Sequence, residues 1–388
     1  MKNDFGNDEK SKAKMPKTKI ICTLGPASSK AGVLLKMMRA GMDVVRLNFS
    51  HGSLKEHLKR ISLVRELNQK YHRHIKILGD LEGYRIRIGR LKGGEPIKVK
   101  KRQVIWLTQE DILGEASLIP FDYSGPLSQI KKGQYIYIDD GNIALMVEAC
   151  EKKRLKTKVM IPGLIKERKG INMPDVQLNF KGLTAKDKAD ISFCVENKVD
   201  YIAQSFVRNK DDILILKAHL KNCLRKCQII AKIENREGIK NIDGIIKVCD
   251  GIMVARGDMG ISVPIYEVPI IQKEIIKKCN RSKKFVITAT QMLESMTENH
   301  IPTRAEVSDV ANAILDGSDY LMLSAETAVG LYPVDCVDMM NKIIKFTEDN
   351  ISSIARLPGE GKNNALPVTV SEIQSIIIFL FYLTFLNF

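Results

Sequence analysis

Tryptophan occurs once in 388 residues, and aromatic side chains make up only 6% of the chain. Proteins that grip nucleic acids interleave basic residues with aromatics, and neither that pattern nor a nucleic-acid motif is present. The formal net charge of +16 therefore points to small anionic partners such as phosphorylated metabolites, or to a lysine-rich surface with no specific partner. No CxxC pair occurs among the eight cysteines, Cys22, Cys150, Cys194, Cys223, Cys227, Cys249, Cys279 and Cys336. Cys223 and Cys227 have no histidine nearby, which argues against zinc. Thiols scattered in this way fit a reducing, cytoplasmic setting better than disulfides do. The opening MKNDFGNDEKSKAKMPK lacks the apolar core of a secretion signal and reads as a flexible tail. The closing run IIIFLFYLTFLNF has 13 residues, short of the roughly 20 that span a bilayer. No membrane partner is expected.

What the chain does have is a 44% apolar content, enough for a sizeable core, and a length suited to two or three domains or one large α/β barrel with an insertion. Eight short apolar runs recur, each followed by helical periodicity: KIICTLG (19–25), DVVRLNF (43–49), HIKILGD (74–80), DYIAQSF (200–206), CQIIAKIE (227–234), GIMVARG (251–257), KFVITAT (284–290) and DYLMLSAE (319–326). Beyond residue 200 they are spaced by roughly 25–35 residues, the repeat of a βα unit in a parallel (β/α)8 barrel. Most run straight into Gly, Ser, Thr, Asp or Glu, and in such barrels the C-terminal strand ends carry the chemistry. The rhythm breaks between about 88 and 170, where GQYIYIDDGNIALMVEAC and TKVMIPG alternate and turn. The expected organisation is a tail over 1–17, a barrel over 18–87 and 171–350, an inserted small β-barrel domain over 88–170, and a linker with an aberrant apolar tail over 351–388.

In IIAKIENREG (229–238) a lysine and a glutamate stand two apart behind an apolar run. Alternation puts Lys232 and Glu234 on one face of a strand. Buried charges of this kind are paired or functional, so a salt bridge and a site are both open readings.

Longer strings decide between them. TKIICTLGPASS (18–29), GMDVVRLNFSHG (41–52), IDDGNIAL (138–145), KGINMPD (169–175), IIAKIENREGI (229–239), DGIMVARGDMG (250–260), ATQMLESM (289–296) and PTRAEVSDVANAILDGSDYLMLSAETAVGLYP (302–333) together resemble pyruvate kinases over about residues 15–350. The resemblance implies phosphoryl transfer from phosphoenolpyruvate to ADP in glycolysis, chemistry that depends on charge neutralisation and alignment. It implies Glu234 and Asp258 as carboxylate ligands of one Mg2+ (or Mn2+). Lys232 then faces the transferred phosphoryl group together with Arg46. Gly257, Asp258 and Thr290 are implied for the substrate carboxylate, and Thr290 and Ser324 for protonation of the enolate through water. Asn48, Ser50, Asp80 and the carbonyl of Leu81 correspond to the monovalent-cation pocket. Asn48, Ser50, His51, Arg87 and Lys169 are expected near the nucleotide, with Asp140 facing the cleft from a closing lid.

Two departures matter. The family commonly reads DTKGPEIR where this chain has DLEGYRIR (80–87). Leu81 thus offers no hydroxyl, and Arg85 stands where potassium-dependent relatives have a glutamate. A fixed side-chain cation there can supply the field of K+, so a K+ site is expected to be dispensable. Second, only about 40 residues follow the barrel, too few for the family's third, C-terminal α/β domain. A truncated or frame-shifted product is expected on this basis, without the family's effector site. A family-like homo-oligomer is not favoured, because that domain holds part of the interface. The alternatives are a metal-dependent lyase or aldolase of pyruvate-like oxyacids, against which RLNFSHG and MLSAETA argue, and an inactive ligand-binding paralogue.

Overall fold

The computed structural model describes residues 17–174, 176, 182–220 and 227–354. The expected apolar tail, Cys223 and most of the expected N-terminal tail lie outside them. Eight parallel strands close into a barrel: β1 (Lys19–Thr23), β2 (Met42–Asn48), β3 (Lys76–Asp80), β4 (Tyr201–Gln204), β5 (Gln228–Ile233), β6 (Gly251–Ala255), β7 (Phe285–Ala289) and β8 (Tyr320–Leu323). Each neighbours its predecessor in sequence, and β8 returns to pair with β1. The strands read as continuous apolar runs because both faces are covered, the outer one by helices and the inner one by the barrel filling. That filling is a compact set including Ile21, Val44, Leu78, Ile230, Met253, Ile287 and Met322. The larger core lies between the strands and the helix ring, with Leu47, Ile202, Ile233, Val254, Leu321 and Leu323 among its members.

The helices start where sequence chemistry lets them. Ser53, Thr184 and Thr303 each accept a backbone N–H at the N-cap, answered by Glu56, Asp187 and Glu306 three residues on. These reciprocal capping boxes satisfy amide groups that the first turn leaves unpaired.

Between β3 and β4 the chain builds a separate seven-stranded sheet. Its order is Ile86–Arg87, Gly170–Asn172, Tyr135–Ile138, Ile143–Cys150, Arg154–Ile161, Val104–Thr108 and Leu118–Pro120. A two-stranded sheet of Ile97–Val99 and Gly163–Ile165 accompanies it, and both contribute to one apolar cluster. The entry and exit strands of this unit pair antiparallel, Ile86 opposite Ile171 and Arg87 opposite Gly170, so they form a two-stranded connection to the barrel. The last described helix is Pro333–Ile354. Among the described residues no helix is long and apolar enough to cross a membrane.

Candidate functional site

The C-terminal rim of the barrel gathers charges that the strands force below the surface. Lys232, near the end of β5, is 9% exposed, and Asp80 and Glu234 are each 1% exposed. The Lys232 ammonium lies 3.1 Å from Asp80 Oδ1 and 3.0 Å from Glu234 Oε1, and it donates to Ser205 Oγ at 2.7 Å. Burial works to lower its pKa, but Asp80 and Glu234 outweigh burial and raise it. For Asp80, burial works upward and the Lys232 and Arg46 charges prevail, leaving its carboxyl below the usual range. Glu234 goes the other way. Burial dominates, Asp258 adds repulsion, and its pKa is raised despite Lys232.

Arg46 on β2 donates from Nε to Asp80 Oδ2 at 2.7 Å and from Nη1 to Thr23 Oγ1 at 2.9 Å. It is therefore anchored to two neighbouring strands with its fork turned to the rim. Asp258 sits in the short helix Arg256–Ser262 that follows β6. Two carboxylates close enough for Asp258 to push the pKa of Glu234 upward, with no sulfur or imidazole beside them, suit a hard divalent cation. Among the described residues no group of three or more His, Cys, Asp or Glu could hold a metal. A cation at Glu234 and Asp258 would thus need oxygens from water or substrate to complete its shell.

Thr290, directly after β7, holds a left-handed backbone at φ 72°. For a β-branched residue that is strained, and such strain persists only where the surroundings impose it. Here Arg256 imposes it, donating to the Thr290 carbonyl at 2.7 Å and to the Ala289 carbonyl at 3.3 Å. Gly257 N donates to Thr290 Oγ1 at 2.8 Å, so two of the three residues expected at the substrate carboxylate touch. Ser324 closes β8. Its N–H donates to the fully buried Glu326 at 2.6 Å, while its own Oγ is buried without a hydrogen-bond partner.

Around β2 and β3, Asn48 stands opposite Asp80 in register, and Ser50 N donates to Asn48 Oδ1 at 3.1 Å. The Leu81 carbonyl already accepts from Ser205 Oγ at 2.7 Å. His51 is exposed, and its pKa is lowered by partial desolvation first and then by Arg87, Arg85 and Arg46. From the inserted unit, Asp139 and Asp140 turn a hairpin at φ 55° and 54°, conformations that short polar residues tolerate in such turns. Each then finds a cation: Lys169 Nζ lies 2.7 Å from Asp139 Oδ1, and Arg85 Nη2 lies 3.2 Å from Asp140 Oδ1. Arg85 also reaches Asp258 Oδ1 at 3.8 Å and keeps a buried Nε without a partner. It points into the cleft and not outward. A Cβ at Gly170 would stand 2.7 Å from Arg85 Nε, so a side chain there would push the guanidinium from its present place.

Several residues of the rim escape reasoning from sequence. Ser205 and Phe206 follow β4 and bind Lys232 and Glu234, the latter through Phe206 N to Glu234 Oε2 at 2.6 Å. The serine next to last in DYIAQSF was their one visible signal. Arg256 and Glu326 act through backbone groups, which leave no pattern. A cavity of about 530 Å³, lined by Arg85, Ile171, Gln204, Phe206 and Asn235 among others, opens beside the paired strands Ile86–Arg87 and Gly170–Asn172 and does not include Lys232 or Glu234.

A (β/α)8 barrel with a β unit inserted after its third strand and a charged cleft at the strand C-termini defines the class. A family profile described as "Pyruvate kinase, barrel domain" matches residues 15–337. A curated pyruvate kinase of Thermococcus litoralis is 46% identical over 338 residues, covering 87% of this chain and 71% of that protein. Pyruvate kinases of Bacillus licheniformis and Geobacillus stearothermophilus are each 45% identical, covering 93% of this chain and 62% of theirs. A crystal structure of a pyruvate kinase from Cryptosporidium parvum superposes with a TM-score of 0.82 at 37% identity, over 91% of this chain and 74% of that one. The chain belongs to the pyruvate kinase family, and it spans about three-fifths to seven-tenths of the length of these curated relatives.

Proposed function

We propose that this chain moves the phosphoryl group of phosphoenolpyruvate onto ADP, giving pyruvate and ATP. The observation that carries the reading is the buried Lys232 ammonium between Asp80 and Glu234, with Arg46 and Asp258 on the same rim. A phosphoryl group in flight spreads negative charge over its oxygens, and a preorganised cation in a dry site stabilises that charge. Lys232 remains protonated because its neighbours raise its pKa. Arg46, fixed by Asp80 and Thr23, presents its remaining nitrogen to the same group.

Glu234 and Asp258 would hold Mg2+ or Mn2+, which when bound neutralises phosphate and enolate oxygens. The substrate carboxylate is assigned to Gly257, Asp258 and Thr290, beside the strained turn. Transfer breaks the bond between phosphorus and the enol oxygen and forms one to a terminal oxygen of ADP. The enolate left behind takes a proton at its methylene carbon, delivered through water near Thr290 and Ser324. The nucleotide is assigned to Asn48, Ser50, His51, Arg87 and Lys169, with Asp140 closing over it. Asn48, Ser50, Asp80 and the Leu81 carbonyl are assigned to the monovalent cation, and Arg85, beside Asp140 and Asp258, supplies a standing positive charge to the same cleft. Pyruvate formation from phosphoenolpyruvate, ADP and Mg2+, followed with a lactate dehydrogenase couple, is the test. A purified, folded chain that forms no pyruvate overturns the reading.

A further inference from the structure

The arginine assigned to the nucleotide is already engaged by this chain's own carboxylate. Arg87 Nη2 donates to Glu82 Oε1, and Arg87 Nη1 donates to the Arg168 carbonyl at 2.9 Å. Both terminal nitrogens of the fork are therefore in use. Glu82 is a largely buried side chain at 14% exposure, and its second oxygen lies 3.3 Å from Lys186 Nζ. Lys186 is itself steadied by Asp190 at 2.8 Å and by the Phe49 carbonyl at 2.6 Å. Burial works to lower the pKa of Lys186, but Asp190 and Glu82 outweigh it and keep the ammonium charged. Glu82 thus bridges two cations, one of them in the candidate site and one behind it.

Carboxylate and phosphate oxygens compete for the same face of a guanidinium, because both accept its parallel N–H groups. We infer that Glu82 is an internal counter-ion of Arg87, which a nucleotide phosphate must displace, and that it thereby sets the affinity for ADP. Lys186 gives the displaced carboxylate a place to rest without leaving a buried charge unpaired, a state that is strongly disfavoured. The inference rests on the phosphoryl-transfer reading above and adds a residue that tunes its nucleotide step.

Glu82→Gln keeps the shape of the side chain and removes its charge. The dissociation constant for ADP with Mg2+, measured by calorimetry without phosphoenolpyruvate, should fall by about three- to tenfold. The KM for ADP should fall in parallel, while kcat and the KM for phosphoenolpyruvate stay within about twofold. Lys186→Met removes the resting place and should weaken ADP binding instead. A residue that merely positions Arg87 gives the opposite result for Glu82→Gln, because loss of its charge then loosens ADP. Unchanged or weaker ADP binding by Glu82→Gln overturns the inference. If that variant does not fold, unchanged ADP binding by Lys186→Met overturns it. A chain that forms no pyruvate yet shows these opposite shifts in ADP binding would sink the catalytic reading and leave Glu82 in its role.

Discussion

Lys232 carries a charge that its depth opposes and its neighbours restore. Replacing it with methionine keeps the length and apolar stem while removing the cation. Turnover should fall by about 10²–10³-fold or more. Mn2+ binding to Glu234 and Asp258, followed by electron paramagnetic resonance, should persist, and near-normal turnover in the variant would refute the role. Arg85 tests a second charge. Its guanidinium faces Asp140 and Asp258 in the cleft, a position from which it can act electrostatically on bound anions. Activity in Mg2+ with choline in place of K+ should be nearly full, and Arg85→Glu should create a K+ requirement. Strong K+ activation of the unmutated chain would defeat this expectation.

Elements show how far the amino-acid order foretells geometry. All eight barrel strands lie inside the apolar runs except for Met42, one residue ahead of its run, because a strand covered on both faces must be apolar throughout. The inserted unit was visible for the opposite reason, since IYIDDGNIAL alternates and turns. Glu234 was legible as the charge that ends CQIIAKIE, and Asp258 as the carboxylate directly after GIMVARG. Gly170 under Arg85, and Glu82 across from Lys186, were not, since both contacts join segments more than 80 residues apart. Helix starts were written plainly as Ser, Thr and their acidic partners. Thr184→Ala should therefore cost about 1 kcal/mol in chemical denaturation, and no loss would show the cap to be idle. His57, in the helix Leu54–Lys70, is buried, and its Nε2 donates to the His51 carbonyl at 2.9 Å. Burial first, aided by Arg60, holds its pKa below the ordinary value against the pull of that carbonyl. The unfolded chain then takes up a proton near pH 6.5 that the folded chain refuses. Stability should decline as pH falls from about 7 toward 5, and His57→Gln should flatten that slope in thermal melts.

At the largest scale, the barrel is a ring with a seam. The chain's net charge of +16 should draw anionic substrates, and screening should weaken that attraction as the Debye length shrinks from about 10 Å at 0.1 M salt to about 3 Å at 1 M. Raising choline chloride should increase the KM for phosphoenolpyruvate and ADP with little change in kcat, and a salt-independent KM would count against long-range attraction. The seam itself joins β1 to β8, with Thr23 Oγ1 donating to the Leu323 carbonyl across 300 positions of sequence while accepting from Arg46. During synthesis at about 5–20 residues per second, β1 waits roughly 15–60 s for this partner. Throughout that interval its outer edge is an open template for any other strand. The inserted unit, whose apolar cluster draws only on residues 84–176, has all its parts long before then. A nascent chain thus emerges with a finished β unit attached to an open sheet, and Thr23, which holds Arg46, gains its own Leu323 acceptor only when the ring is ready to shut. Chaperone capture is expected to concentrate on chains stalled before residue 320, and ribosome-bound chains halted on either side of that point offer the direct comparison.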